Sequence, residues 1–148
     1  MGIAISTFAP SGTPIAGAPE AVIEDAVTQW GSSPAAFPSF VKDAYAESLR
    51  DPAHVHAICE EFRAAATQDY DQDIQDLKDG RRLSCPVLVL WSAHSALDTW
   101  YKDAGGPIAI WRRWANDVQG RSIRGGHFFP EELPEETAAQ LANFFVTF

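Results

Sequence analysis

One short apolar run, Cys-Pro-Val-Leu-Val-Leu-Trp over residues 85–91, limits the possible folds of this chain more than any other segment. The run is rich in strand-forming residues and shows no alternation of apolar and polar positions. Such a run is typical of a strand covered on both faces of a parallel sheet. A helix through Ile108 and Val118, a weaker strand over 120–124 and a last helix from Leu133 follow it. The order β-α-β-α predicts an α/β arrangement after residue 80.

The front half of the chain is predicted to be helical. Apolar residues recur at helical spacing in four short segments between residues 20 and 80. Asp51-Pro52 is a strong helix start, because Asp51 can accept hydrogen bonds from unpaired backbone N–H groups and Pro52 needs no donor there. Residues 1–19, with three Pro and three Gly, predict an irregular arm. The predicted organisation is therefore an arm over 1–19, a helical region over 20–80 and an α/β region over 81–148.

Charge and composition exclude several classes of partner. The 148 residues suffice for one domain and carry 20 acidic against 11 basic side chains, a net charge of −9. Such a chain repels phosphate backbones and anionic membranes, so neither nucleic-acid nor membrane binding is predicted.

The N-terminus lacks the basic and apolar stretches of a signal peptide. Cys59 and Cys85 lie in apolar stretches and are predicted to be reduced core residues, which favours a cytoplasmic location.

His127 is the strongest candidate for chemistry. It follows a predicted strand and the pair Gly125-Gly126. The loop at the carboxyl end of a strand is where α/β folds place reacting groups, and His is the side chain suited to proton transfer near neutral pH. A histidine that only packs or caps is equally compatible with this position.

Several segments together carry a family resemblance. They are residues 85–91, Trp111-Arg112-Arg113-Trp114-Ala115, the run Gly126-His127-Phe128 with Pro130-Glu131-Glu132, and, in the helical half, Asp51-Pro52, His56, Cys59-Glu60 and Arg63-Ala64. From about Pro19 onward the chain resembles the C-terminal part of an α/β-hydrolase fold, above all that of the haloacetate (fluoroacetate) dehalogenase group. The resemblance implies a helical cap followed by the last strands and helices of the sheet.

The resemblance also implies a reaction and a role for His127. In that group an aspartate attacks carbon to form an ester, and the histidine, oriented by a third carboxylate, activates the water that hydrolyses it. The nucleophile and the oxyanion segment precede the cap in the family, and the 148 residues contain neither an aspartate elbow nor a Gly-x-Ser-x-Gly motif. Many related hydrolases carry the orienting acid after the apolar strand, where this chain has Ser95. Asp98, three residues on, is the candidate acid.

Thr67 stands where the dehalogenases carry a halide-facing tyrosine, so it is the candidate substrate-binding position of the cap. The implied partner is a small-molecule substrate, provided that an N-terminal half completes the enzyme; no cofactor and no metal are implied. Asp69-x-Asp71-x-Asp73 is similar to the start of a calcium loop but lacks the glycine and glutamate that such a loop needs. The alternative is a non-catalytic remnant or association module of the same fold.

The apolar strand bears on core and assembly. Five residues are expected to form the core of the α/β region: Val87, Val89, Trp91, Trp111 and Phe145. In the family sheet this strand is interior, so without its neighbour it exposes unpaired backbone groups. We therefore predict a homodimer through that edge or an aggregation-prone monomer, unless the arm 1–19 covers the strand.

Overall fold

The computed structural model describes residues 17–30 and 32–147. Contacts group them into two compact units, one of residues 17–26 and 38–76 and the other of 27–37 and 77–147. Residues 27–37 thus group with the C-terminal segment, although the sequence pattern placed them in the helical region. The helices are α1 Pro19–Gln29, α2 Ser39–Arg50, α3 Pro52–Ala66, α4 Gln68–Lys78, α5 Leu97–Trp100, α6 Gly106–Trp111, α7 Phe129–Glu132 and α8 Pro134–Val146, with 3-10 turns at Pro34–Ala36 and Lys102–Ala104.

The first unit is built from helices whose starts and cores follow the sequence pattern. Asp51 caps α3 as predicted, with its Oδ1 accepting a hydrogen bond of 2.8 Å from the Ala53 backbone N–H. Leu49, Val55 and Cys59 form the buried core, and the burial of Cys59 confirms its predicted place. Partly buried Val22, Ile23 and Ile58 pack against that core.

The second unit contains a parallel pair of strands, β1 Val87–Ser92 and β2 Val118–Ile123. Their register runs from Val87 opposite Val118 to Ser92 opposite Ile123. The core consists of Val89, Ala115 and Val118, with partly buried side chains of Val87, Trp91 and Ile108 against it. The predicted order of strand, helix, strand and helix is confirmed, with two short helices added at α5 and α7.

Three predictions about the second unit are wrong. Trp111 and Phe145 are 42% and 70% exposed rather than part of the core of Val89, Ala115 and Val118, because within the described residues no other element fully covers these two side chains. Val118 opens β2 instead of extending a helix, since its backbone pairs opposite Val87. Cys85 is exposed, because it lies before the first paired residue of β1.

The sheet in the described ranges consists of these two strands, so β1 has a strand partner along one edge only. Leu88 and Leu90 are half-buried. The homodimer through the open edge stays a prediction, and residues 1–16 of the arm lie outside the described residues. Within the described ranges, no helix combines the length and the apolar character needed to cross a membrane.

Candidate active site

Two loops meet at one edge of the sheet, because parallel strands end on the same side. We call residues 93–96, which follow β1, the β1 loop, and residues 124–128, which follow β2, the β2 loop. Ser92, only 4% exposed, joins them: its Oγ donates to the Gly125 carbonyl at 2.6 Å and accepts from the His94 backbone N–H at 3.1 Å. The Ala93 N–H also donates to the Ile123 carbonyl at 2.7 Å. This edge therefore holds both loops at fixed positions relative to the strands.

His127 lies in the β2 loop with its side chain exposed. Its backbone N–H donates to the Trp30 carbonyl at 3.2 Å. The imidazole meets the Trp30 ring edge-on, with centroids 4.7 Å apart, and lies 4.9 Å from the Phe128 ring. The histidine thus combines an anchored backbone with a ring that solvent or a small molecule can reach, which is what proton transfer requires.

Aromatic side chains hold the segment 27–37 against the β2 loop. Phe128 stacks on Trp30 with centroids 5.7 Å apart and planes at 23°. It also meets buried Phe37 edge-on at 5.8 Å. Such aromatic pairs contribute about 0.5–1.5 kcal/mol each beyond their buried area. These contacts fix the wall beside His127.

Polar groups complete the anchoring. Glu132 Oε2 accepts a hydrogen bond of 3.0 Å from the Gly126 N–H, and its Oε1 accepts from the Ser32 hydroxyl. Ser32 Oγ in turn accepts from the Phe128 N–H at 3.3 Å.

The pKa of the neighbouring Glu131 carboxyl is raised, mainly by burial and to a lesser extent by the negative charge of Glu132.

Gly125 is required where it stands in the β2 loop. A Cβ at this residue would lie 2.7 Å from the Phe129 Cβ and 3.2 Å from the Leu133 Cδ1. The first distance is too short for two carbon atoms, so α7 can pack this closely only against a glycine.

Asp98 follows β1 in α5, at the same edge of the sheet as His127, but its carboxylate has another partner. Its Oδ1 accepts a hydrogen bond of 2.9 Å from the Trp91 indole N–H. In the part of the chain that is described, no hydrogen bond or ion pair joins Asp98 to His127. Ser95, predicted to stand where many related hydrolases carry the orienting acid, donates its hydroxyl to the Ser92 carbonyl at 2.9 Å and so closes the turn.

Thr67 lies in the first unit, directly after α3, with an exposed side chain. Its hydroxyl donates to the Arg63 carbonyl at 2.7 Å, one helical turn back. The acidic residues Asp69, Asp71 and Asp73 lie on α4. Among residues 17–30 and 32–147, no three His, Cys, Asp or Glu side chains are placed so that they could hold a metal ion together.

Three residues of this site were missed from the sequence: Trp30, Ser32 and Glu132. Glu132 belongs to the run after His127 that carried the family resemblance, but nothing in the run indicated that its carboxylate folds back onto Gly126. Trp30 and Ser32 lie about 100 positions earlier in the chain, on either side of Gly31. No local pattern could link them to His127, because the contacts are long-range.

Comparisons with known proteins bear on the fold. No protein-family model matches the chain. It is 30% identical over 127 residues, 85% of its length, to a fluoroacetate dehalogenase from Burkholderia sp., of which it covers 40%. A solved structure from Nostoc sp. PCC 7120, assigned to the α/β hydrolases, superposes with a TM-score of 0.81 at 39% identity, covering 92% of this chain and 45% of that one.

A further structure, from Pseudomonas aeruginosa and assigned as an epoxide hydrolase, gives a TM-score of 0.79 at 33% identity and covers 92% of this chain and 44% of that one. The chain therefore spans less than half the length of the relatives that it matches.

Proposed function

We propose that this chain, a C-terminal portion of an α/β-hydrolase fold, supplies the general base of a hydrolase that acts on small molecules. The proposed reaction is the hydrolytic dehalogenation of haloacetates. His127 is the proposed base. The observation that carries the proposal is the exposed imidazole on an anchored loop at the carboxyl edge of two parallel strands. The similarity to a fluoroacetate dehalogenase supports the substrate class.

The proposed reaction has two steps. A carboxylate oxygen attacks the carbon that carries the halogen; a C–O bond forms, the carbon–halogen bond breaks, and the halide leaves with the bonding electrons. Water then attacks the carbonyl carbon of this ester while His127 takes its proton, and the acyl C–O bond breaks. The oxygen of the departing hydroxyacetate takes up the second proton of the water, His127 releases the first proton to solvent, and the carboxylate is regenerated. The base thus acts only after an ester exists.

The nucleophile of this scheme is proposed to come from polypeptide outside these 148 residues, since the chain covers only 40% of the dehalogenase that it resembles. Asp98 would serve as orienting acid only after leaving the Trp91 indole, and Thr67 would contribute a small hydroxyl on the cap side. The free thiols of Cys59 and Cys85 fit the proposed cytoplasmic location.

A non-catalytic association module is the second candidate. The open edge of β1 favours it, because a strand edge with unpaired N–H and C=O groups binds another strand readily. In that case the chain would pair with a second copy of itself and release no halide in any combination. The proposed function instead requires that a strand from an N-terminal part of the fold pair with this edge.

The test joins the N-terminal part of the similar dehalogenase, up to its cap, to residues 17–148 in one chimeric chain. We expect the chimera to release fluoride or chloride from haloacetates, and the 148-residue chain alone to release none. In the chimera, His127→Ala should stop turnover and leave the nucleophile esterified, visible by mass spectrometry as one added carboxymethyl group.

Two results would contradict the proposal. One is halide release by the isolated chain that persists after His127→Ala, which would place the chemistry elsewhere. The other is a chimera whose His127→Ala variant hydrolyses the ester as fast as the parent. The matched control is His54→Ala: this exposed histidine of α3 hydrogen-bonds within its own helical unit, and its replacement should leave turnover unchanged.

A further inference from the structure

We propose that Glu132 and Ser32 are positioning residues that hold His127 through the two peptide N–H groups on either side of it. The inference rests on the proposed role of His127 as base and extends it to two residues that never touch the substrate. We call the four-membered hydrogen-bonded arrangement of Gly126, Phe128, Ser32 and Glu132 the histidine clamp.

The clamp is a closed set of hydrogen bonds. The Gly126 N–H donates to Glu132 at 3.0 Å, the Phe128 N–H donates to Ser32 Oγ at 3.3 Å, and the Ser32 hydroxyl donates to the other carboxylate oxygen of Glu132. The His127 N–H between them donates to the Trp30 carbonyl at 3.2 Å. Three consecutive amides of the β2 loop are thus satisfied by one carboxylate and one short segment of distant sequence.

The arrangement is suited to positioning because it acts on the backbone from which the imidazole projects. Hydrogen bonds to a charged carboxylate are stronger than those between neutral groups. Ser32 is 8% exposed, so water competes little for its hydroxyl. The backbone is thus held on both sides of His127, and the Trp30 ring lies against the imidazole with the ring centroids 4.7 Å apart. A displacement of about 1 Å at a reacting group can cost about 100-fold in rate.

Amide hydrogen exchange and NMR on the 148-residue chain test the clamp without any turnover. In Glu132→Ala we expect the amides of Gly126 and Phe128 to exchange at least about tenfold faster. Without the Glu132 carboxylate, less free energy is needed to expose these N–H groups to solvent. The cross-relaxation between the His127 and Trp30 rings should weaken as well. The Val89 amide, in the sheet, should keep its exchange rate.

Conservative variants separate the clamp from a general loss of structure. Ser32→Ala should speed exchange at Phe128, and Ser32→Thr, which keeps a hydroxyl, should restore it. Glu132→Gln keeps one carbonyl acceptor and should give an intermediate rate. Glu135→Gln is the matched control, because this exposed carboxylate at the start of α8 is outside the clamp and should change nothing.

The chimera supplies the catalytic readout. There Glu132→Ala should lower kcat by at least about tenfold while KM stays within about twofold, because the loss concerns the base and not substrate binding. Unprotected Gly126 and Phe128 amides in the parent chain, or unchanged exchange and ring contact in Glu132→Ala, would overturn the inference. A chimera that is folded but releases no halide would instead refute the proposed function, while the exchange data still decide the clamp.

Discussion

The β1 loop and the β2 loop start from equivalent places, the carboxyl ends of two neighbouring parallel strands, and end in different states. The β2 loop presents the imidazole of His127 to solvent and ties its backbone to Trp30, Ser32 and Glu132. The loop after β1 leads into α5, where the carboxylate of Asp98 is bound by the Trp91 indole.

The difference shows that a position directly after a strand does not by itself make a side chain available for chemistry. Its availability depends on which groups the surrounding polar atoms hydrogen-bond to. In the β2 loop those partners hold the backbone and leave the ring accessible, whereas at Asp98 the partner takes up the functional group itself.

Replacement of His127 and replacement of Asp98 should have very different effects on ester hydrolysis. In the chimera, His127→Ala should reduce ester hydrolysis by about 10²–10⁴-fold, the usual contribution of a general base. Asp98→Asn, which keeps an oxygen to accept the Trp91 N–H, should change it by less than about threefold. Single-turnover measurement of ester decay gives both values. Similar losses in the two variants would mean that Asp98 leaves Trp91 and orients His127 during the reaction.

Ser92→Ala should affect both loops together. Its hydroxyl donates to Gly125 and accepts from His94 while almost completely buried. Removing it leaves the carbonyl of buried Gly125 and the backbone N–H of His94 without this partner, so we expect a loss of about 1–3 kcal/mol in the free energy of unfolding. Urea denaturation measures the loss. Ser95→Ala, which removes a single bond within the β1 loop, is the control and should cost less.

Val89→Ala tests the sheet from which both loops project. Val89 is 9% exposed and packs against Ala115 and Val118. Truncation of a buried aliphatic side chain removes transfer free energy and leaves a cavity, so we expect about 1–3 kcal/mol of destabilisation. An unchanged melting temperature would contradict the assignment of β1. Val146→Ala, at an 87% exposed site on α8, should have almost no effect.

The smallest effect concerns pH. The pKa of Glu131 is raised in the folded chain, so the folded state binds this proton more tightly than the unfolded state does. Stability should therefore fall as pH rises from the ordinary glutamate value through the raised one. Glu131→Gln should remove that part of the pH dependence and be slightly more stable than the parent above that range. Urea midpoints between pH 4 and 7 measure it, and an identical profile in the variant would contradict the cause assigned here.

Much of the helical half could be predicted, because its signals are local. Asp51 caps α3 through a residue two positions away, and the apolar spacing that predicted the helices also marks Val55 and Cys59 as core. The predicted places of Trp111 and Phe145 failed for the opposite reason. Apolar character alone does not say whether another element covers a side chain, and in the described part of the chain these two remain exposed.

The β-α-β-α order, a strand within residues 85–91 and the resemblance to the end of an α/β-hydrolase fold could be predicted from the sequence, which also indicated His127 as a candidate for chemistry. These follow from contiguous residues, whose spacing and chemistry act over a few positions. The folded structure was needed to show that Ser32 and Glu132, 100 positions apart, share a hydrogen bond. It was also needed to show that Asp98 accepts a hydrogen bond from the Trp91 indole and has none with His127. Hydrogen bonds form between whatever groups the fold brings within about 3 Å, and distance along the chain places no limit on that choice.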